Sequence, residues 1–279
     1  MWVGDLFSRR PVSAHVKDLL HGLADAVQNA LRRAPGDLAD VVGKGADGAP
    51  TRRIDAIAER AAFEYLDTAL PEGRSVLSEE AGRVDRGGEW TIVLDPVDGT
   101  HNAIRGIPAY AVSAALCKRA PQGKVERLVE VRAGLVRDLV SGITYYAESG
   151  KGATRDAIPI RVTKPFAPRD TVFDVYLGEK AHPKASEVAG RARRVRNLGA
   201  ASLDLCLVAC GAADLYYMHS AEAGHELRAM DIAAGVLIVR EAGGGVVDLA
   251  GRPLDMPLDI GPRTNLIAYG DEQILEMLL

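Results

Sequence analysis

Between residues 12 and 33 the apolar positions Val16, Leu19, Leu20, Leu23, Ala26, Val27, Ala30 and Leu31 recur at helical spacing, and Pro35-Gly36 closes the run. This predicts an amphipathic helix. A second helix is predicted over about 52–70, capped by Thr51 and ended by Pro71-Glu72-Gly73. The glycine-rich segment 43–50 between them is too irregular for either period and reads as a mobile loop. From Ser75 onward the pattern shortens to β-favouring runs over 75–78, 91–94, 110–118, 129–138, 142–148 and 158–162. Beyond Pro165-Phe166-Ala167-Pro168 strands and helices alternate. Strands are predicted over 171–177, 195–198, 214–218, 246–249 and 265–269, with helices over 185–192, 202–210, 231–242 and from Asp271. Such alternation predicts layered α/β architecture, with a soft boundary near residue 165 between an α+β half (1–165) and an α/β half (166–279).

Composition narrows the class without naming a chemistry. The 279 residues are 47% hydrophobic and 26% charged, as in ordinary globular proteins. A net charge of −4 gives no basic footprint for nucleic acid. The longest apolar runs are broken well before the roughly 18 residues of a membrane span, and the N-terminal stretch lacks the order of a secretory signal. Cys117, Cys206 and Cys210 are an odd set without metal-ligand spacing and read as structural thiols. A cytoplasmic protein with neither a nucleic-acid nor a membrane partner is expected.

Chemistry concentrates in Trp90-Thr91-Ile92-Val93-Leu94-Asp95-Pro96-Val97-Asp98-Gly99-Thr100-His101-Asn102. A buried strand runs straight into two carboxylates, a stiffening proline, a glycine turn and a hydroxyl. Two carboxylates beside a donor-rich turn suit a divalent cation and a phosphate. Further acids stand at predicted element ends: Asp55 near the start of the second helix, Glu79 and Glu80 after a strand, and Asp231 at the head of a helix. Each also has a structural reading. Asp55 would complement a helix dipole, Asp231 would be an N-cap, and Glu79-Glu80 a solvated pair. Their joint occurrence favours a site.

Three separated motifs in order carry a family resemblance: Asp95-Pro96-Val97-Asp98-Gly99-Thr100-His101-Asn102, then Met230-Asp231-Ile232-Ala233-Ala234-Gly235, with Glu79-Glu80 upstream. Asn197-Leu198-Gly199-Ala200-Ala201-Ser202 and Glu241-Ala242-Gly243-Gly244 extend it over most of the chain. The sequence resembles the inositol monophosphatase-like, magnesium-dependent phosphatases. Segment 48–55 and Ser202-Leu203-Asp204-Leu205-Cys206 liken it more narrowly to archaeal-type dual inositol monophosphatase/fructose-1,6-bisphosphatase enzymes. The resemblance implies a layered αβαβα sandwich with the site where the two halves meet. It also implies a cytoplasmic role in carbohydrate metabolism and gluconeogenesis, a homodimer or homotetramer, and a small phosphate ester as substrate. Two or three Mg2+ ions, with Mn2+ as a substitute, would be held by Glu79, Asp95, the Val97 carbonyl, Asp98 and Asp231. Asp55 and Thr100 would orient a metal-activated water, with Glu80 behind them or at a third ion. Asp98, Gly99, Thr100, Arg196 and Ala201 would contact substrate.

One departure is visible in the resemblance. Where animal inositol phosphatases carry an inositol-binding glutamate, this chain has Met218. The basic run 191–196 offers charge for a second phosphate, or a solvated face. His219 and His225 are open to the same two readings. The glycine-rich segment 43–50 reads as a lid. Three functions follow in order: a sugar and inositol phosphatase, a 3′-phosphoadenosine nucleotidase, and a non-catalytic binding protein of the same fold. At 5% aromatic residues, with no aromatic cluster near the motifs, the nucleotidase ranks low.

Overall fold

Helix α1 (Val12–Arg33) presents Leu20, Leu23, Ala24 and Val27 along one stripe, and α2 (Arg53–Ala69) answers with Ile54, Ala58, Ala62 and Leu66. The computed structural model describes residues 12–46, 48–71, 73–164 and 170–278. The two helices pack together on one face of an eight-stranded sheet. Between them β1 (Val41–Lys44) and β2 (Pro50–Arg52) pair antiparallel. The expected loop is therefore the turn of a hairpin: Gly45, Ala46, Gly48 and Ala49 lie outside the strands, and the Gly45 N–H donates to the Ala49 carbonyl at 2.8 Å. Asp47 and the expected boundary near residue 165 lie outside the described residues.

The large sheet comprises β3 (Ser75–Ser78), β4 (Gly82–Asp85), β5 (Trp90–Asp98), β6 (Ala111–Lys118), β7 (Val131–Asp138), β8 (Thr144–Glu148), β9 (Ala153–Arg155) and β10 (Ile158–Ile160). Its spatial order is β10-β9-β8-β7-β6-β5-β3-β4, with β3 parallel to β5. Period-2 alternation sorts its side chains: Ile92 and Leu94 join the α1/α2 core, while Val93 joins the core on the opposite face. After β5 the chain enters a short helix, α3 (Thr100–Ile104). The run 129–138 starts as a 3-10 turn, Leu128–Glu130, before becoming β7. Strands β4 and β9 were not expected. At three or four half-polar residues each, they carry too little period to read.

The second sheet holds β11 (Val172–Val175), β12 (Arg194–Arg196), β13 (Leu215–Met218), β14 (Gly245–Val247) and β15 (Leu266–Tyr269) in the order β12-β11-β13-β15-β14. Its outer face carries α4 (Pro183–Ala189) and α7 (Glu272–Leu278) on a core of Phe173, Leu215, Tyr217 and Ile267. Between the sheets lie α5 (Ala201–Ala209) and α6 (Ala229–Glu241), apolar on all sides because both flanks are covered. An ideal Cβ on Gly134 of β7 would stand 2.9 Å from Ala234 Cα, so α6 lies directly on the strand. The layers run α1/α2, large sheet, α5/α6, small sheet, α4/α7, which is the αβαβα sandwich expected. Among the described residues no helix is long and apolar enough to cross a membrane.

Candidate active site

Asp95 and Asp98 stand three residues apart on β5, so a regular strand would send them to opposite faces. The ladder with β6 instead shifts between them: Asp95 faces Ser113 and Asp98 faces Ala111. The extra residue rephases the strand, and Pro96 needs no ladder partner for a missing N–H. Both carboxylates thus line one cavity of about 440 Å³. Gly99 then turns with φ 86°, and a side chain there would meet the Ala109 carbonyl at 2.9 Å.

Asp231 does not head its helix as expected. Arg228 is the N-cap of α6, and Asp231, third in the helix, accepts the Arg228 N–H through Oδ2 at 2.8 Å. Asp55 repeats the arrangement on α2, accepting the Arg52 N–H at 3.2 Å. The cap is therefore Arg52, and Thr51 belongs to β2, where its hydroxyl binds Glu80. Glu79 follows β3 and pairs with the Arg228 guanidinium. Glu79, Asp95 and Asp231 each offer an oxygen within 4.8 Å of the others. Asp98 Oδ2 accepts the Ser202 N–H at 2.7 Å and its hydroxyl. The Thr100 hydroxyl lies 2.8 Å from Asp55 Oδ1 and 2.9 Å from the Val97 carbonyl.

Burial dominates the electrostatics. It pushes Glu79 up to about 8, opposed by Arg228 and reinforced by Asp231. Asp98 rises to about 7 against the Ser202 hydrogen bond, and Asp95 goes well above its ordinary range with Glu79 and Asp98 adding to burial. Asp55 rises to about 6, against the hydrogen bond from Thr100. A crowd of desolvated carboxylates holds protons or binds cations. The donor set fits a hard divalent cation: the ligating atoms are all oxygen, and the buried Asp231 Oδ1 has no hydrogen-bond partner.

The expected residues are only partly gathered. Glu79, Asp95, Val97, Asp98, Gly99, Thr100, Ala201 and Asp231 line the cavity. Asp55 sits behind Thr100, and Glu80 lines a separate cavity behind the hairpin. Arg196 lies on β12 and does not line the site cavity. Elsewhere in the basic run, Arg194 pairs with Asp170 at 2.6 Å and Arg191 binds the Met277 carbonyl, so this run does not supply the site's positive charge. Arg228 and Arg263 do line the cavity, as do Met218, His225, Tyr176 and Tyr216. His219 instead stacks on His182 at 4.0 Å. The sequence reading missed Arg228, although an arginine three residues before a helix-start acid is itself a pairing signal.

The model of the inositol monophosphatase family matches residues 13–278. The fructose-1,6-bisphosphatase/inositol-1-monophosphatase of Methanothermobacter thermautotrophicus is 33% identical over 266 residues, covering 92% of each chain. The bifunctional NADP phosphatase/NAD kinase of Methanococcus maripaludis is 34% identical over 247 residues, covering 83% of this chain and 43% of that one. The crystal structure of an inositol monophosphatase–fructose 1,6 bisphosphatase superposes with a TM-score of 0.77 at 30% identity, covering 97% of this chain and 100% of the other. With the family model spanning nearly the whole chain and the acids of its motifs converging on one cavity, this protein belongs to the inositol monophosphatase family.

Proposed function

We propose that the protein is a magnesium-dependent phosphatase that hydrolyses fructose 1,6-bisphosphate, inositol 1-phosphate or both by direct attack of water. The observation that carries this is the meeting of Glu79, Asp95 and Asp231 beside Asp98 and the Asp55–Thr100 pair at one open cavity. Magnesium held by Glu79, Asp95, Asp98, Asp231 and the Val97 carbonyl would supply Lewis-acid charge for the phosphoryl and leaving oxygens. Thr100 orients the attacking water, and Asp55 fixes Thr100 through their hydrogen bond. Glu80, held by Thr51, acts from behind by bracing the β1–β2 hairpin. Backbone N–H groups at the Gly99–Thr100 turn receive the phosphate, and Ala201 borders the sugar. The apolar Met218 in the wall argues against strict inositol recognition, and Arg228 and Arg263 suit an anionic ester. The family resemblance supports the accompanying reading: two halves meeting near residue 165, a homodimer or homotetramer, and a cytoplasmic place in carbohydrate metabolism.

NADP is a second substrate worth an arm of the test. A relative bears that activity in its name, and the half-buried Tyr176 borders the cavity where a base would stack. The experiment is phosphate release from the three esters with and without Mg2+, for wild type and Asp98→Asn. Magnesium-dependent turnover is expected, falling about a hundredfold or more in the variant. Turnover indifferent to magnesium, or retained by Asp98→Asn, refutes the proposal.

A further inference from the structure

Phe173 and Val175 of β11 turn outward into the core beneath α4 and α7, so Asp174 between them turns inward, toward α5. In the sheet register Asp174 stands directly opposite Arg196 on β12 and Tyr216 on β13. Asp204, in the first turn of α5, meets Asp174 there; Asp204 is 2% exposed and Asp174 1%. Buried carboxyls this close cannot both be ionised, so the pair holds one proton between them. Burial lifts both above the ordinary carboxylate range, while the Arg196 guanidinium and the Leu198 N–H favour charge on Asp174. The proton therefore stays with Asp204. Asp204 lines the site cavity and Asp174 does not, so the cavity meets a neutral carboxyl backed by a carboxylate. That carboxyl has acceptor capacity to spare. Asp204 Oδ1 completes no hydrogen bond, and besides Asp174 the Ala200 N–H steadies the group. Two oxygens offer more lone pairs than these two neighbours occupy.

We propose that Asp204 is a specificity-determining residue of this site, its carboxyl accepting a hydrogen bond from a hydroxyl of the substrate's organic group. This inference rests on the phosphatase reading above. The class it selects is the phosphate ester of a polyol. A hydroxyl satisfies the spare acceptor, whereas an apolar ester group seals it from water without a partner. Met218, which also borders the cavity, offers no acceptor, so the polar contact on this side comes from α5. The neutral form suits the place. An ionised Asp204 would add repulsion beside Asp98 and the incoming phosphate, and a neutral one does not. Arg196 thus bears on the site through Asp174 rather than by touching substrate.

The test is phosphate release, with and without Mg2+, from inositol 1-phosphate, fructose 1,6-bisphosphate and phenyl phosphate, whose organic group has no hydroxyl. The proteins compared are wild type, Asp204→Leu, Asp204→Ala and Asp204→Asn. Wild-type kcat/KM should favour at least one polyol ester over phenyl phosphate. Asp204→Leu should lower that ratio about tenfold, mainly through KM for the polyol ester. Asp204→Asn should keep it within about threefold, because the amide donates to Asp174 and leaves its oxygen to the cavity. Asp204→Ala removes the same acceptor and decides the matter should Asp204→Leu fail to fold by circular dichroism. A ratio unchanged in the Leu or Ala variant overturns the inference, as does a wild type without polyol preference or an Asp204→Asn that loses as much as Asp204→Leu. A wild type that releases phosphate from none of the three, or does so without magnesium, overturns the phosphatase reading itself, which separates the two failures.

Discussion

Replacing Gly134 by alanine tests whether the contact between α6 and the large sheet sets the geometry of the acids. The added methyl would stand 2.9 Å from Ala234 Cα, 3.0 Å from its carbonyl oxygen and 3.2 Å from its Cβ. Carbon atoms in ordinary contact are ~3.5–4.0 Å apart, so helix and strand must separate by roughly 0.6–1 Å. The obstructing atoms are mainly helix backbone, and α6 is buried along nearly its whole length, so no side chain can swing aside. Overpacking of this kind costs about 1–3 kcal/mol. Alanine in the unfolded chain returns about 0.4–1 kcal/mol where the backbone tolerates it, leaving a net loss of about 1–2 kcal/mol. Asp231 lies one helical turn before Ala234, so the same shift carries its carboxylate away from Asp95 on β5. Magnesium demands near-ideal octahedral geometry, so the concentration needed for half-maximal turnover should rise several-fold. Urea unfolding and a magnesium titration of phosphate release read the two effects. A stability change below about 0.5 kcal/mol with an unaltered magnesium requirement would show that the contact does not position Asp231.

Three further outcomes follow from particular contacts. Thr100→Val keeps the volume but removes the hydroxyl, so kcat should fall about a hundredfold or more. Asp55, losing the hydrogen bond that holds its pKa down, should move the acidic limb of the pH profile upward. Asn102→Ala removes donors to the Ala109 and Leu198 carbonyls, each at 2.7 Å, and should cost about 1–3 kcal/mol in denaturant unfolding. Asp174 on β11 is buried against Asp204 of α5, and burial raises it from 3.8 to about 6. A raised carboxyl stabilises the fold below its unfolded pKa and loses that contribution as pH climbs through the folded one. The stability of wild type relative to Asp174→Asn should therefore fall as pH rises from 4 to 8; a pH-independent difference between the two would refute it.

Legibility followed the strength of the local signal. The stripe from Val16 to Leu31 is long and strictly helical, and α1 appears where it predicts. Ala201–Ala209 and Ala229–Glu241 also lie within a residue or two of expectation, because uninterrupted apolar runs announce buried helices. The glycine-rich segment turns as its composition suggests, and what the sequence did not show is that its flanks pair as β1 and β2. Composition shows permissiveness, and only pairing partners show what is done with it. The acids were legible as a set because they share one short motif and three element ends. Arg228 was not, since its meaning depends on Glu79, 149 positions away. Arg196 was singled out by the family resemblance, yet β12 is the edge of the second sheet and the residue does not line the cavity.

Why so many buried carboxylates are tolerated in one volume has a structural answer in the helix starts. Asp55 is the third residue of α2 and Asp231 the third of α6, and each accepts the N–H of its own N-cap. Asp98 accepts the N–H of Ser202, in the first turn of α5. Three helices from two layers therefore aim their N-terminal amides and the positive ends of their dipoles at the acids. Arg228 adds the formal charge that dipoles cannot supply. The apolar faces that lock α2, α5 and α6 into the sandwich thus hold the carboxylates in place, with the Arg228 guanidinium as counter-charge to Glu79 and Asp231.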